Sequence, residues 1–221
     1  YGGFDGSETL RSQRNYTANL TILSGDIGGD DITTAGVVVT TTNIVGSNSQ
    51  TVVTTQNVTE TTRLDGFVIT GGLANGNSDF PSPDRRGGGM FNDNSSPTLA
   101  NLDFSGNSAP GTGENGFGGA IYNNGQGTAR NSSPILVGVI FRNNSAGYAG
   151  GALYNNGTAN GNSSPSLTNV TFSDNIAKDW GGAIYNNGNG DGFAGTVGSS
   201  SPVLNNVTFS NNSAYSGGAV F

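Results

Sequence analysis

The 221-residue sequence contains no cysteine and no histidine. The first absence removes disulfides, zinc–thiolate centres and thiol nucleophiles together. The second removes the commonest general base and the usual transition-metal ligand, so a Ser-His-Asp triad cannot be built. Positive charge is also scarce: eight Lys+Arg stand against 15 Asp+Glu, a net charge of −7. No basic stripe exists to neutralise a phosphate backbone, which argues against nucleic-acid binding. Apolar runs such as Gly36-Val37-Val38-Val39 fall far short of the roughly 20 residues a membrane span needs. There is no initiator Met, and no signal peptide precedes Tyr1. The sequence therefore reads as a processed product or a fragment, which leaves export open. Charged residues make up only 10% and aromatics 9%, unlike the highly charged, aromatic-poor chains that stay unfolded. What is abundant is glycine, at 38 residues, the mark of a fold that needs many tight turns.

From residue 87 onward the chain repeats itself. Gly87-Gly88-Gly89-Met90-Phe91-Asn92 returns as Gly118-Gly119-Ala120-Ile121-Tyr122-Asn123, then at 150–155 and 181–186, and finally as Gly217-Gly218-Ala219-Val220-Phe221. A second block, Ser96-Pro97 through Phe104 to Asn107, recurs from Ser133-Pro134, Ser164-Pro165 and Ser201-Pro202. Within it, Val170 and Phe172 alternate with Thr171, the two-residue period of a half-buried strand. Leu167 breaks that alternation unless the chain bends at Thr168-Asn169. No stretch sustains helical periodicity. Each repeat thus holds three short strands that bury nothing alone and must stack on the next repeat.

Stacking predicts ladders of like residues. These are Met90/Ile121/Leu153/Ile184/Val220, Leu99/Leu136/Leu167/Leu204, Leu102/Val139/Val170/Val207 and Phe104/Phe141/Phe172/Phe209, with Asn107/Asn144/Asn175/Asn212 at a corner. There, amides bond from coil to coil and asparagine tolerates left-handed backbone. The expected fold is an all-β parallel solenoid of about six to seven coils, in one domain. Residues 1–62 form an N-terminal cap and irregular first coils, with strands near 20–23, 37–39 and 51–55, and residues 63–221 form the regular repeats.

The Gly-Gly-Ala-(Ile/Leu/Val) and Phe-x-x-Asn blocks resemble the repeats of bacterial polymorphic outer-membrane-protein passengers. More broadly they are similar to the right-handed parallel β-helices of the pectate-lyase-like superfold. The opening Tyr1-Gly2-Gly3-Phe4 and the later Leu64-Asp65-Gly66-Phe67 are similar to segments of large secreted bacterial β-helix proteins. The resemblance implies right-handed coiling and an extracellular or cell-surface location. The wider superfold hosts enzymes, adhesins and structural parts alike.

The polysaccharide lyases and hydrolases of that superfold would need facing carboxylates. Asp103 and Asp174 have Ile140, Thr171, Asn143 or Asn211 as neighbours in the ladders, so no carboxylate row forms and no catalytic residue is assigned. Asp26, Asp30 and Asp31, on a glycine-rich turn, offer hard oxygens for Ca²⁺, with a solvated acidic turn as the alternative. Asp79, Asp84 and Asp93 flank an insertion with Arg85-Arg86, an arrangement that predicts a local ion pair or a loop anchor. The eleven threonines of 33–62 are spaced irregularly and follow strand propensity rather than an ice-binding row. Loop lengths vary on one edge of the solenoid, and Tyr122, Tyr154 and Tyr185 stand at its root beside Phe91. As a row they would either stack on sugars or a partner chain, or shield the base of the loops.

The chain stops at Val220-Phe221, after the first strand of a coil, where unpaired backbone groups invite pairing. Either the protein continues beyond this point, or head-to-tail contact of Val220 and Phe221 with Tyr1 and Phe4 of another copy would build a filament. The function expected is thus a non-catalytic, extracellular structural or adhesive β-helix whose partners are itself, other surface proteins or glycans. The alternatives are a polysaccharide-active enzyme and a glycan-binding module.

Overall fold

The computed structural model describes residues 1–76, 83–111, 115–189 and 197–221; Asp79 lies outside them. The chain winds into a parallel β-solenoid with three sheets along its length. Strands Val53–Gln56, Met90–Asp93, Ile121–Asn124, Leu153–Asn156 and Ile184–Asn187 form a five-stranded sheet, to which Val220 adds a bridge. A nine-stranded sheet bends around the opposite side, and a three-stranded sheet of Ser108–Ala109, Ser145–Ala146 and Ile176–Ala177 closes the section. About four regular turns are present, fewer than the six to seven expected. The reason is length: the inserted loops and the first 50 residues use chain that would otherwise have formed further coils.

The ladders hold as residues in register. Met90, Ile121, Leu153 and Ile184 pair in sequence, and so do Leu99, Leu136, Leu167 and Leu204. Phe104, Phe141, Phe172 and Phe209 stack with centroids 5.1, 4.8 and 5.1 Å apart and planes within 13°. Together with Leu102, Val139 and Val170 they form a core that is almost wholly inaccessible except at Leu204 and Phe209 of the last coil, where Leu204 is exposed and Phe209 partly buried. The register begins before residue 63, because Val53 pairs with Met90 and Leu64 with Leu99.

Two kinds of corner make this winding possible. At the first, Asn101, Gly138, Asn169 and Asn206 have φ of 50, 63, 55 and 51°, the bend that the broken alternation at Leu167 requires. At the second, the left-handed residues are Gly106, Asn143, Asp174 and Asn211, one position before the laddered asparagines. Those asparagines serve as cross-links instead. Asn144 Nδ2 donates to Phe104 O and Asn175 Oδ1, both at 2.9 Å, while its Oδ1 accepts from Asn107 N and Nδ2. In the Gly-Gly pair the first glycine takes φ near 60°, as at Gly118, and the second is pressed on backbone: a Cβ on Gly151 would lie 2.1 Å from Gly182 O. A second asparagine ladder, Asn92/Asn123/Asn155/Asn186, runs inside the five-stranded sheet with 2.8 Å amide bonds.

At the N-terminal end, residues 1–19 lie along the free edge of Arg63–Asp65. Gly2 N donates to Asp65 O at 2.8 Å. Arg14 bonds Gly2 O and the Asp65 carboxylate, which Arg63 and Asn101 also reach. Burial pushes the Asp65 carboxyl up, but these hydrogen bonds outweigh it and hold the group below its ordinary range. Tyr1 lies under the Arg11 and Arg14 guanidiniums, while Phe4 is exposed. Val220 and Phe221 are partly exposed at the far end of the solenoid. Within one chain the two ends do not meet.

Candidate functional site

Along each strand of the five-stranded sheet, side chains alternate between core and exterior. Met90 and Asn92 point inward, so Phe91 and Asp93 point out. The outer face therefore carries two columns running along the solenoid axis. One is Thr54, Phe91, Tyr122, Tyr154 and Tyr185; the other is Gln56, Asp93, Asn124, Asn156 and Asn187.

The aromatic column is continuous. Ring centroids are 5.6 Å apart for Phe91–Tyr122, 5.0 Å for Tyr122–Tyr154, 4.9 Å for Tyr154–Tyr185 and 5.5 Å for Tyr185–Phe221, with planes within 20° throughout. Because the rings stack face to face, their faces are used up by one another. A second layer covers the column from the side. Arg86, Phe117, Ala149, Trp180 and Ser216, each just before a Gly-Gly pair, bridge from coil to coil. Phe117 packs on Tyr154 at 4.8 Å, and Tyr148 meets Phe117 and Trp180 edge-on. The Arg86 guanidinium lies over the rings of Phe117 and Tyr122. Tyr122 and Tyr154 are consequently buried, at 2% and 5% exposure, whereas Tyr185 and Trp180 are half-buried. The tyrosines thus point away from the core, and what they offer outward is the hydroxyl edge.

Those hydroxyls are oriented. Asn156 Nδ2 donates to Tyr122 Oη at 2.9 Å, and Asn187 Nδ2 to Tyr154 Oη at 3.1 Å. Burial raises the pKa of Tyr122, Tyr185 and, most strongly, Tyr154, so each stays protonated and keeps its O–H to donate. Above them lies a cavity of about 240 Å³ between Trp180 and Phe117 on one side and Gln126 and Thr158 on the other. A wider depression of about 700 Å³ continues over Thr54, Gln56 and Phe91. Asp93, which lines the wider depression, is tied to Arg130 and to Asn124.

The acidic turn behaves differently from a ligand cage. The Asp26 carboxylate accepts from the backbone N–H of Gly29, Asp30 and Asp31, and Asp31 accepts from Val45 N and Asn48 Nδ2. Among the described residues, no group of three or more His, Cys, Asp or Glu side chains stands where it could hold a metal ion. Asp103 forms a bidentate pair with Arg142. No carboxylate is among the described residues lining the smaller cavity.

Fold and face together define an extended repeat scaffold with a furrowed side, and sequence comparison agrees. Residues 101–124, 138–156, 169–187 and 206–221 match the Chlamydia polymorphic membrane protein repeat. Each match opens at a left-handed bend residue. It runs through the phenylalanine strand, the asparagine corner and the Gly-Gly pair, and the first three end with the strand of the five-stranded sheet. Those four stretches, which together cover less than half of the chain, are similar to that repeat and wind as part of the parallel β-solenoid, and the segments between residues 124 and 138, 156 and 169, and 187 and 206 fall outside them. No curated protein and no solved structure matches the chain. Among the described residues no helix is long and apolar enough to cross a membrane.

Proposed function

We propose that this chain is a structural and adhesive module of a bacterial cell surface, a stiff spacer that presents its loop edge and outer groove to partners without catalysing a reaction. The observation that carries this reading is that each matched repeat holds the phenylalanine strand, the asparagine corner and the Gly-Gly pair of a coil, while the long segments after residues 124, 156 and 187 fall outside it. Those elements belong to the rod, and the variable loops lie beside it, free to change without disturbing the stacking. The family description, a membrane protein repeat of a bacterium, supports a surface location. The pairing of Asp65, Asp93 and Asp103 with arginines supports the non-catalytic part, since a glycosidase keeps two carboxyl groups for acid and nucleophile or base.

Antibody raised against the purified chain tests the location. Labelling of intact cells of the source bacterium, lost after brief external protease treatment, is the expected result; labelling only after permeabilisation would refute it. The non-catalytic part is checked by incubating the chain with xylan and polygalacturonate. No reducing ends or unsaturated products are expected, and steady release of either would make it an enzyme.

A further inference from the structure

We infer that the cavity over the outer face of the five-stranded sheet, floored by Tyr122 and Tyr154 and flanked by Trp180, is a binding site for a neutral glycan chain. The inference rests on the surface-module reading only for where such a glycan would be met; the site itself is argued from its chemistry.

Ligand sites combine apolar and aromatic walls with a few placed polar groups, and both are present. Tyr185 is stacked between Tyr154 and Phe221, but the half-buried Trp180, which lines the cavity, stands outside that column at 6.0 Å and 28° from Tyr185 and is the ring with surface left for a ligand. Sugar C–H faces pack on such surface. The hydroxyls of Tyr122 and Tyr154, each receiving an asparagine amide proton, are left as donors aimed away from those amides. Their rings stand 5.0 Å apart, near the spacing the strands impose and close to the rise per residue of an extended β-linked polysaccharide. An extended peptide fits poorly. Its side chains recur on one face about every 6.6 Å, and its backbone seeks a sheet edge rather than a sheet face.

The charge pattern selects the neutral class. Among the described lining residues the single charged side chain is Arg86. It is 5% exposed, with its guanidinium against Phe117 and Tyr122, so a uronate meets no accessible cation, and no lining carboxylate would take a cationic sugar. The remaining polar contacts come from uncharged groups, Gln126 and Thr158 beside the two hydroxyls.

Affinity electrophoresis of the purified chain through gels containing hydroxyethylcellulose, xyloglucan, glucomannan or polygalacturonate tests this. The fluorescence of Trp180, the one tryptophan, is followed in solution. Retardation by at least one neutral polymer, unchanged by salt and accompanied by a tryptophan shift, is expected. Trp180→Ala should weaken it at least tenfold, and the exposed Gln126→Ala, which leaves the aromatic layer intact, several-fold. Tyr215→Ala, at an 89% exposed position, should change nothing. The inference is overturned if none of the neutral polymers retards the chain. It is equally overturned if polygalacturonate alone does so and salt abolishes the effect, or if Trp180→Ala binds like the parent with an unaltered circular dichroism spectrum. Surface labelling of cells without glycan binding would defeat this inference and leave the module reading standing.

Discussion

Replacing Asn144 by alanine isolates what an asparagine cross-link contributes to a solenoid. The side chain is 1% exposed and serves two backbone groups of its neighbour coil: it donates to Phe104 O at 2.9 Å and accepts from Asn107 N at 3.0 Å. Alanine removes both bonds and leaves the Asn107 N–H without an acceptor, while Phe104 O keeps its place in the strand ladder. An unsatisfied buried backbone group costs about 1–3 kcal/mol and a lost hydrogen bond about 0.5–1.5 kcal/mol, so the loss should fall at about 1.5–4.5 kcal/mol. Asn212 occupies the same place in the last coil, where it bonds Phe172 O and Asn175 N but is only partly buried. There water replaces the amide, and Asn212→Ala should cost about 1 kcal/mol or less. Urea unfolding followed by Trp180 fluorescence and far-ultraviolet circular dichroism measures both.

Asn144→Asp sharpens the test. The carboxylate still accepts from Asn107, but it would face the Phe104 carbonyl with no proton to give. Burial favours its neutral form, so its folded-state pKa lies above the unfolded value of about 3.9. Stability of this variant is therefore best below the unfolded pKa and is lost as pH rises through the folded one. At pH 7 it should be less stable than Asn144→Ala, and near pH 4 the gap should narrow. Equal losses at Asn144 and Asn212, or an Asn144→Ala protein within about 0.5 kcal/mol of the parent, would refute the cross-link argument.

Three further outcomes follow from other parts of the coil. Asp65 has a lowered folded-state pKa, so its contribution is present above the unfolded value and lost as pH falls below about 4; hydrogen exchange of residues 1–19 should rise in acid, and Asp65→Asn should show the same release at pH 7. If residues 1–19 stay protected in that variant, the Arg14–Asp65 tie does not hold them. Gly138 takes the left-handed bend position that asparagine fills at 101, 169 and 206, and its nearest obstacle is Asn101 Oδ1 at 3.2 Å. Gly138→Asn should therefore raise stability by about 0.5–1 kcal/mol through the unfolded chain, and a loss above 1 kcal/mol would mean that the bends differ. Tyr154→Ala should cost about 3–5 kcal/mol, as other buried aromatic truncations do, whereas Tyr154→Phe gives up only the Asn187 bond, about 1 kcal/mol; similar urea midpoints for the two would deny the stack its structural role.

The core was legible because a solenoid repeats its inward residues in type as well as in place. Phenylalanine at 104, 141, 172 and 209 and leucine at 99, 136, 167 and 204 announce their own pairing partners. The extra residue between Leu167 and Val170 announces the bend, which the φ of Asn169 realises. The acidic turn was not legible in the same way, since closeness in sequence says nothing of direction: Asp26 faces the backbone of its own loop. Nor was the layer over the tyrosines. Its column runs Arg86, Phe117, Ala149, Trp180, Ser216, five residues with no shared chemistry, tied together only by preceding Gly-Gly. Position relative to the glycines was the available signal, and residue type concealed it.

That hidden column decides how the tyrosines must be probed. A row of aromatic residues at the root of variable loops suggests ring faces open to sugars, and alanine substitution would be the natural test of it. With Tyr122 and Tyr154 sandwiched between neighbours and roofed by Phe117, alanine removes the stack along with any ligand contact, and the two losses are inseparable. Removing the hydroxyl alone separates them. In Tyr122→Phe the ring still stacks on Phe91 and Tyr154, and the Asn156 amide keeps Asn124 and Gln126 as weaker acceptors, so the rod should stand with a loss of about 1 kcal/mol. Glycan affinity should nonetheless fall several-fold, because a donor has left the floor of the groove. Affinity undiminished in the double variant Tyr122→Phe, Tyr154→Phe would mean that the tyrosine row is scaffold alone and that a bound glycan rests on Trp180 and the loops.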